Sequence, residues 1–184
     1  NVALVKNGAG TMILNQLNRL TGGITVNEGV LRAGNALALA EGDVTVNGGA
    51  SAGGKLDVNN LVTAVDALNG SAGTVAGIIA NESTTNATRT FSIGVNHGSG
   101  SYAGQIVDNT GGGAQGKIAL AKIGTGEQTL AGTGTHTGGT FVSNGTLVAD
   151  YAAGSPLGTS GITLQGGTLV IRNADYIAAV RLQG

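Results

Sequence analysis

The side chains that could carry chemistry in this chain are few and far apart. Gly111-Gly112-Gly113-Ala114-Gln115-Gly116-Lys117 has the glycine and lysine spacing of a phosphate-binding loop, in which backbone N–H groups cradle phosphates and a following Ser or Thr holds magnesium. Ile118 stands where that hydroxyl belongs, and the residues beyond it read as a strand, so no helix N-terminus would face a phosphate. Gly49-Ala50-Ser51-Ala52-Gly53 fits the nucleophile-elbow pattern, but elbow chemistry needs a strand-to-helix turn, an oxyanion hole and a histidine. Chance in a chain rich in Gly, Ala and Ser accounts for the match. His97 and His136 are the only imidazoles, and neither has a second ligand-type residue at metal spacing. His97 reads as a solvated loop residue and His136 as an exposed or groove position.

Asp43, Asp57, Asp66, Asp108, Asp150 and Asp175 are scattered singly. A glycosidase needs two carboxylates about 5 to 9.5 Å apart, which residues one coil apart in a stacked fold can supply, but no local pair announces such a site. They read as solvated turn residues. Thr133, Thr135 and Thr137 alternate, and would face one side of an extended chain in a short row of the kind that binds ice. Asn69, Asn81, Asn86 and Asn144 begin formal glycosylation sequons, read here as turn chemistry. Sugar stacking would rest on Tyr102, Tyr151 and Tyr176 alone. The sequence therefore leads us to expect no catalytic, cofactor-binding or metal-binding residues, no cofactor and no enzymatic activity.

The elements that would position these groups come from a repeat. Leu4-Val5-Lys6-Asn7-Gly8-Ala9-Gly10-Thr11 returns as Leu120-Ala121-Lys122-Ile123-Gly124-Thr125-Gly126-Glu127. A shift of 116 positions also aligns Thr21-Gly22-Gly23 with Thr137-Gly138-Gly139, Gly29 with Gly145 and Leu31 with Leu147; a small insertion then moves the shift to 118, matching Val44–Gly49 with Ile162–Gly167. Self-similarity of this kind is the signature of a stacked-repeat architecture.

Composition agrees. Glycine supplies 35 of 184 residues with one proline, but without the every-third-residue period of collagen. A hydrophobic content of 41% with a net charge of −1 excludes a disordered chain, and 10% charged residues offer no basic stripe for nucleic acid. With 3% aromatics and no Trp, the interior must be filled by small aliphatics. Strands are expected at Val2–Leu4, Thr11–Leu14, Ile24–Val26, Val30–Ala33, Val44–Val46 and Leu56–Val58, and in the middle third at Val75–Ala80 and Thr90–Val95, around a polar loop at 81–88. The Asn- and Gly-rich corners could be tight hairpins of an antiparallel meander, or the bends of a solenoid. A spacing of about 20 to 25 residues per turn of chain favours the solenoid, with about eight coils and a length near 40 Å. No cysteine is present, and no apolar stretch reaches the roughly 18 residues of a membrane-spanning helix.

Leu120-Ala121-Lys122-Ile123-Gly124-Thr125-Gly126, Thr137-Gly138-Gly139-Thr140 and Ser143-Asn144-Gly145-Thr146-Leu147 resemble the passenger-associated strand repeat of bacterial autotransporters. The Tyr that the family places before Thr-Gly-Gly is His136 in one copy and Leu20 in the other. Phe91–Gly94 and Tyr102–Ile106 resemble the segment that often precedes the repeat. The resemblance implies a right-handed parallel β-helix, exported to or released from the cell surface, commonly an adhesin stem or spacer.

The resulting expectation is an all-β, right-handed parallel β-helix over 1–184, with a repeat module at 1–70, a less regular middle at 71–116 and a second module at 117–184. Its expected role is structural and adhesive: a stiff stem, spacer or filament-forming subunit, extracellular and cut from a longer chain or fibre. Its expected partners are further coils or copies of itself stacked end to end, or surface glycans and proteins, with no nucleic acid and no membrane span. A carbohydrate-active β-helix enzyme and a glycan- or ice-binding module are the alternatives.

Overall fold

The computed structural model describes residues 2–39, 41–111 and 115–174 and the backbone of 181–182. Asp175, Tyr176 and the Gly112-Gly113-Ala114 part of the phosphate-loop-like string lie outside the described residues. Along the chain the strands fall into eight successive coils. The first two coils hold two strands each, β1 (Leu4–Lys6) with β2 (Thr11–Leu14), then β3 (Ile24–Val26) with β4 (Gly29–Ala33). The next three hold three each: β5 (Val44–Val46), β6 (Gly54–Asp57) and β7 (Thr63–Val65); β8 (Leu68–Asn69), β9 (Ile78–Ala80) and β10 (Thr88–Ile93); β11 (Gly100–Tyr102), β12 (Gln105–Ile106) and β13 (Lys117–Lys122). The last three again hold two: β14 (Glu127–Leu130) with β15 (Thr140–Val142), β16 (Thr146–Asp150) with β17 (Ile162–Leu164), and β18 (Thr168–Arg172) with β19 (Arg181–Leu182).

Every ladder between strands is parallel, so the fold is a parallel β-solenoid and the meander reading fails. One face runs β1-β3-β5-β8 and continues, through the parallel bridge Gly70–Tyr102, into β11-β14-β16-β18. A second runs β2-β4-β6-β9-β12 and bridges on to Gly134, and a third runs β7-β10-β13-β15-β17-β19. Leu4 sits on Ile24 and Ile24 on Val44, a coil of 20 residues, as expected. The middle coils are longer, 32 residues from Gly70 to Tyr102 and 28 from Tyr102 to Leu130, because residues 81–87 and, after Ile106, residues 107–111 and 115–116 stand outside the ladder.

Inward alternation sets the core. Ile24, Val26, Val44 and Val46 are each at most 2% exposed, stacked one coil apart. Stacked Val and Ile suit strands because their branched Cβ atoms pack across the ladder. The two largest core rings, Phe91 and Tyr102, lie in the middle coils, where all three faces are strands. Several strand boundaries differ from expectation: β6 runs Gly54–Asp57 rather than Leu56–Val58 and β10 Thr88–Ile93 rather than Thr90–Val95, and two further differences have a physical reason. The first strand is Leu4–Lys6 rather than Val2–Leu4, because Leu4 and Lys6 share the inward side while Val2 and Val5 are exposed. Within Val75–Ala80 only Ile78–Ala80 is strand, since Val75 bridges Gly49 antiparallel in a side loop.

Candidate functional site

The residues of the repeated motif build joints between coils. The ammonium of Lys6, 8% exposed, donates to the carbonyls of Asn7 (3.1 Å) and Gly8 (2.5 Å) in its own turn and to Glu28 (3.0 Å) in the next coil. Lys122, 1% exposed, donates to Ile123 (2.5 Å) and Gly124 (2.9 Å). Burial pulls the Lys122 amine below its ordinary range, an effect that Asp66 partly offsets. The glycine-rich turn therefore brings carbonyl oxygens inward, and a buried lysine satisfies them. The closing glycine of each copy is required twice over. Gly29 and Gly145 have φ of 72° and 63°, and a Cβ on Gly29 would lie 2.3 and 2.6 Å from the oxygens of Gly8 and Gly10. On Gly145 it would lie 2.4 and 2.5 Å from those of Gly124 and Gly126.

The carboxylates are clamps of the same kind. Asp43 accepts the N–H of Ala67, Asp66 those of Asn96 and Gly98, and Asp108 those of Ile118 and Thr137 as well as the Thr137 hydroxyl. Asp150 caps the 3₁₀ turn Tyr151–Ala153 and accepts from Asn173, whose hydrogen bond helps hold its carboxyl below the usual range. Amides do likewise. Asn27 donates to Asn7 (2.9 Å) and Asn47 to Asn27 (2.8 Å), an asparagine ladder at one corner. Asn81, fully buried and therefore no glycan acceptor, joins Asn60 N–H to the Lys117 carbonyl. Gln128, also fully buried, reaches past Gly100 to accept from Leu68 N–H (3.1 Å) and donate to its carbonyl (2.8 Å). Neither the Asn81 nor the Gln128 role was legible in the sequence, because each depends on which residue lies one or two coils away.

One constellation departs from the expected scatter of carboxylates. Asp57 is fully buried rather than a solvated turn residue. It accepts from Asn59 N–H (2.8 Å) and Glu82 N–H (3.0 Å) through one oxygen and from Arg32 Nε (2.6 Å) through the other. Arg32 lies directly beside it in the ladder of β4 on β6. Lys55, on the same strand as Asp57, pairs with Glu82 at 2.6 Å and with the Thr110 hydroxyl at 3.0 Å. Burial alone would raise the Glu82 carboxyl, but hydrogen bonds from Lys55 and Thr110 outweigh it and hold it below the usual range. Arg32, Lys55, Glu82 and Thr110, with Val30, Thr84, Asn109 and Gly111, line an open cleft of about 370 Å³ on the second face, and Asp57 lies behind it. Register brings them together: 25 residues separate Arg32 from Asp57 and again Asp57 from Glu82.

Other expected sites fare differently. His136 is fully buried, not exposed: Nε2 meets the Thr140 hydroxyl at 3.0 Å and Nδ1 faces the Ile106 carbonyl at 3.3 Å. Burial lowers its pKa from the ordinary 6.5, against smaller upward pulls from Ile106 and Asp108. His97 is exposed as expected, with φ of 72° and Nδ1 accepting from Thr125 N–H. Tyr102 is 1% exposed, its hydroxyl donating to Gly77 and Gln105 and its phenol pushed up by burial, so it is no sugar platform. Thr133, Thr135 and Thr137 do point outward with Gly134 and His136 buried between them, but Thr137 is held by Asp108 and no strand forms there. Ser51 lies in a bend with no helix after it. Among the described residues no three His, Asp or Glu side chains gather as a metal site would require.

A stack of parallel coils whose repeated corners are spent on joining one coil to the next defines a β-solenoid repeat protein. Residues 4–33 and 120–149 each match the passenger-associated-transport-repeat, so the chain carries two copies of a repeat of autotransporter passengers. It is 33% identical over 177 residues, 91% of its length, to the adhesin BmaC autotransporter of Brucella suis biovar 1 (strain 1330). The chain spans 5% of that relative's length. No solved structure matches it.

Proposed function

We propose that the chain is an extracellular segment of a cell-surface adhesin passenger, a stiff stem or spacer that carries its side loops at a fixed distance from the cell and turns over no substrate. One observation carries this reading: the polar side chains that a catalyst would need are consumed in joining coils. Asp43, Asp57, Asp66 and Asp108 each accept backbone N–H groups from the neighbouring coil. The printed description of the relative as an adhesin agrees with it. Its partners in that role are further coils stacked on its own and molecules of the surface to which the parent protein attaches.

Eight coils at about 4.8 Å each make a rod of about 40 Å. Negative-stain electron microscopy over a concentration series tests the proposal. Rods of that length, or filaments of the same width that lengthen with concentration, support it; compact particles without an axis overturn it. Digestion of a panel of polysaccharides by the purified chain, abolished by Glu82→Gln, would overturn the non-enzymatic part.

A further inference from the structure

We infer that the cleft on the second face is a binding site for a carboxylate-bearing sugar, with Arg32 as its anchor. This rests on the adhesin reading and gives it a ligand class. The argument is one of unspent hydrogen bonds. Both oxygens of Asp57 are consumed inside the wall, by Asn59 N–H, Glu82 N–H and Arg32 Nε, and both oxygens of Glu82 are taken by Lys55 and Thr110. Among the described residues Arg32 is engaged only through Nε, and it lines the cleft with its side chain 38% exposed, which leaves the terminal N–H groups of its guanidinium unspent. Among the described residues Lys55 uses two of its three donors, and the exposed hydroxyl of Thr84 is unengaged. The cleft thus offers donors while both of its neighbouring carboxylates are already hydrogen-bonded at each oxygen, which favours an anion.

Asp57 makes the arginine a built feature. A fully buried carboxylate fixed by two backbone N–H groups orients the guanidinium plane, so less side-chain freedom is lost when a ligand is gripped. A planar guanidinium matches a carboxylate through two parallel hydrogen bonds. The size suits one or two sugar rings. An acidic peptide is the less suitable ligand, because β4 and β6 are hydrogen-bonded on both sides and offer no strand edge to an extended chain.

The test is titration of the isotope-labelled chain, followed by NMR, with 3′-sialyllactose and with a trigalacturonate, against lactose and a neutral trigalactose. Saturable shifts at Arg32, Lys55 and Thr84 are expected with one or both acidic sugars, and which of the two binds distinguishes a sialic from a uronic acid. Arg32→Lys keeps a cation beside Asp57 but loses the fork, and should weaken binding about tenfold or more with an unchanged spectrum elsewhere. Thr84→Val, at an exposed hydroxyl, should weaken it less without touching the fold. No saturable shift with either acidic sugar, equal binding of the neutral ones, or tighter binding of a poly-glutamate peptide would each overturn the assignment. Rod length in the microscope is indifferent to all of these outcomes, so failure here leaves the spacer reading standing.

Discussion

The two copies of the repeat have the same local structure but occupy different faces of the solenoid. In the first, β1 and β3 lie on the first face and β2 and β4 on the second; in the second, β13 and β15 lie on the third face and β14 and β16 on the first. The 116 residues between them are not a whole number of coils, so the module is turned by one face about the axis. What survives the rotation is what the module carries within itself: the buried lysine, the inward carbonyls of its glycine turn and the glycine that packs on them. What changes is whatever faces a neighbour. Met12 is 37% exposed whereas Gln128, at the same place in the repeat, is fully buried against coils two layers away. Leu20 packs on the rim of the core whereas its counterpart His136 is sealed inside. Asn27 extends an asparagine ladder, while Ser143 at the matching place donates to Gln165 at 2.8 Å. The repeat is a self-contained joint, and its surroundings decide the rest.

Substitutions that treat the copies as equals, or exchange their residues, put this to the test. Gly29→Ala and Gly145→Ala should be the most damaging, each at least about 3 kcal/mol, since a left-handed backbone and a Cβ against two carbonyl oxygens act together. Hydrogen exchange should show the loss of protection centred on the mutated copy. A mild effect in either copy would break the claim that the joint is shared. Gln128→Met, which installs the first copy's residue, should cost about 2 kcal/mol by leaving the Leu68 peptide groups short of a partner. Met12→Gln should be near neutral in the same denaturation experiment.

His136 should make only the second copy acid-sensitive. Its folded pKa is depressed below 6.5 by burial, so in the window below pH 6.5 the unfolded chain binds a proton that the folded chain does not. Stability therefore falls as pH drops through that window and levels off below the folded pKa. His136→Leu, the first copy's residue, should flatten that part of the pH profile; an unchanged profile would refute the assignment. The smallest effect is expected for Asn27→Ser, about 0.5 to 1 kcal/mol, because it shortens a partly exposed ladder to the arrangement that the second copy already tolerates.

Local chemistry fixed a good deal of this protein in advance. Gly, Asn and small aliphatic residues at a spacing near 20 allow little besides short stacked strands, and Thr11–Leu14, Ile24–Val26 and Val44–Val46 are the strands that the pattern alone predicts. The repeated Leu-x-Lys-x-Gly-x-Gly string marks the joint, although the sequence alone assigned its lysine no role and the structure makes it the buried partner of the turn's carbonyls. Only the tertiary structure decided the register between coils that differ in length. That register buries Asp57 beside Arg32, seals His136 and Tyr102 into the core, and assembles the charged cleft from residues 25 apart. The physical reason is that the period along a strand is set by the backbone, while the neighbour across the ladder is set by the length of every side loop between, and one inserted residue moves it.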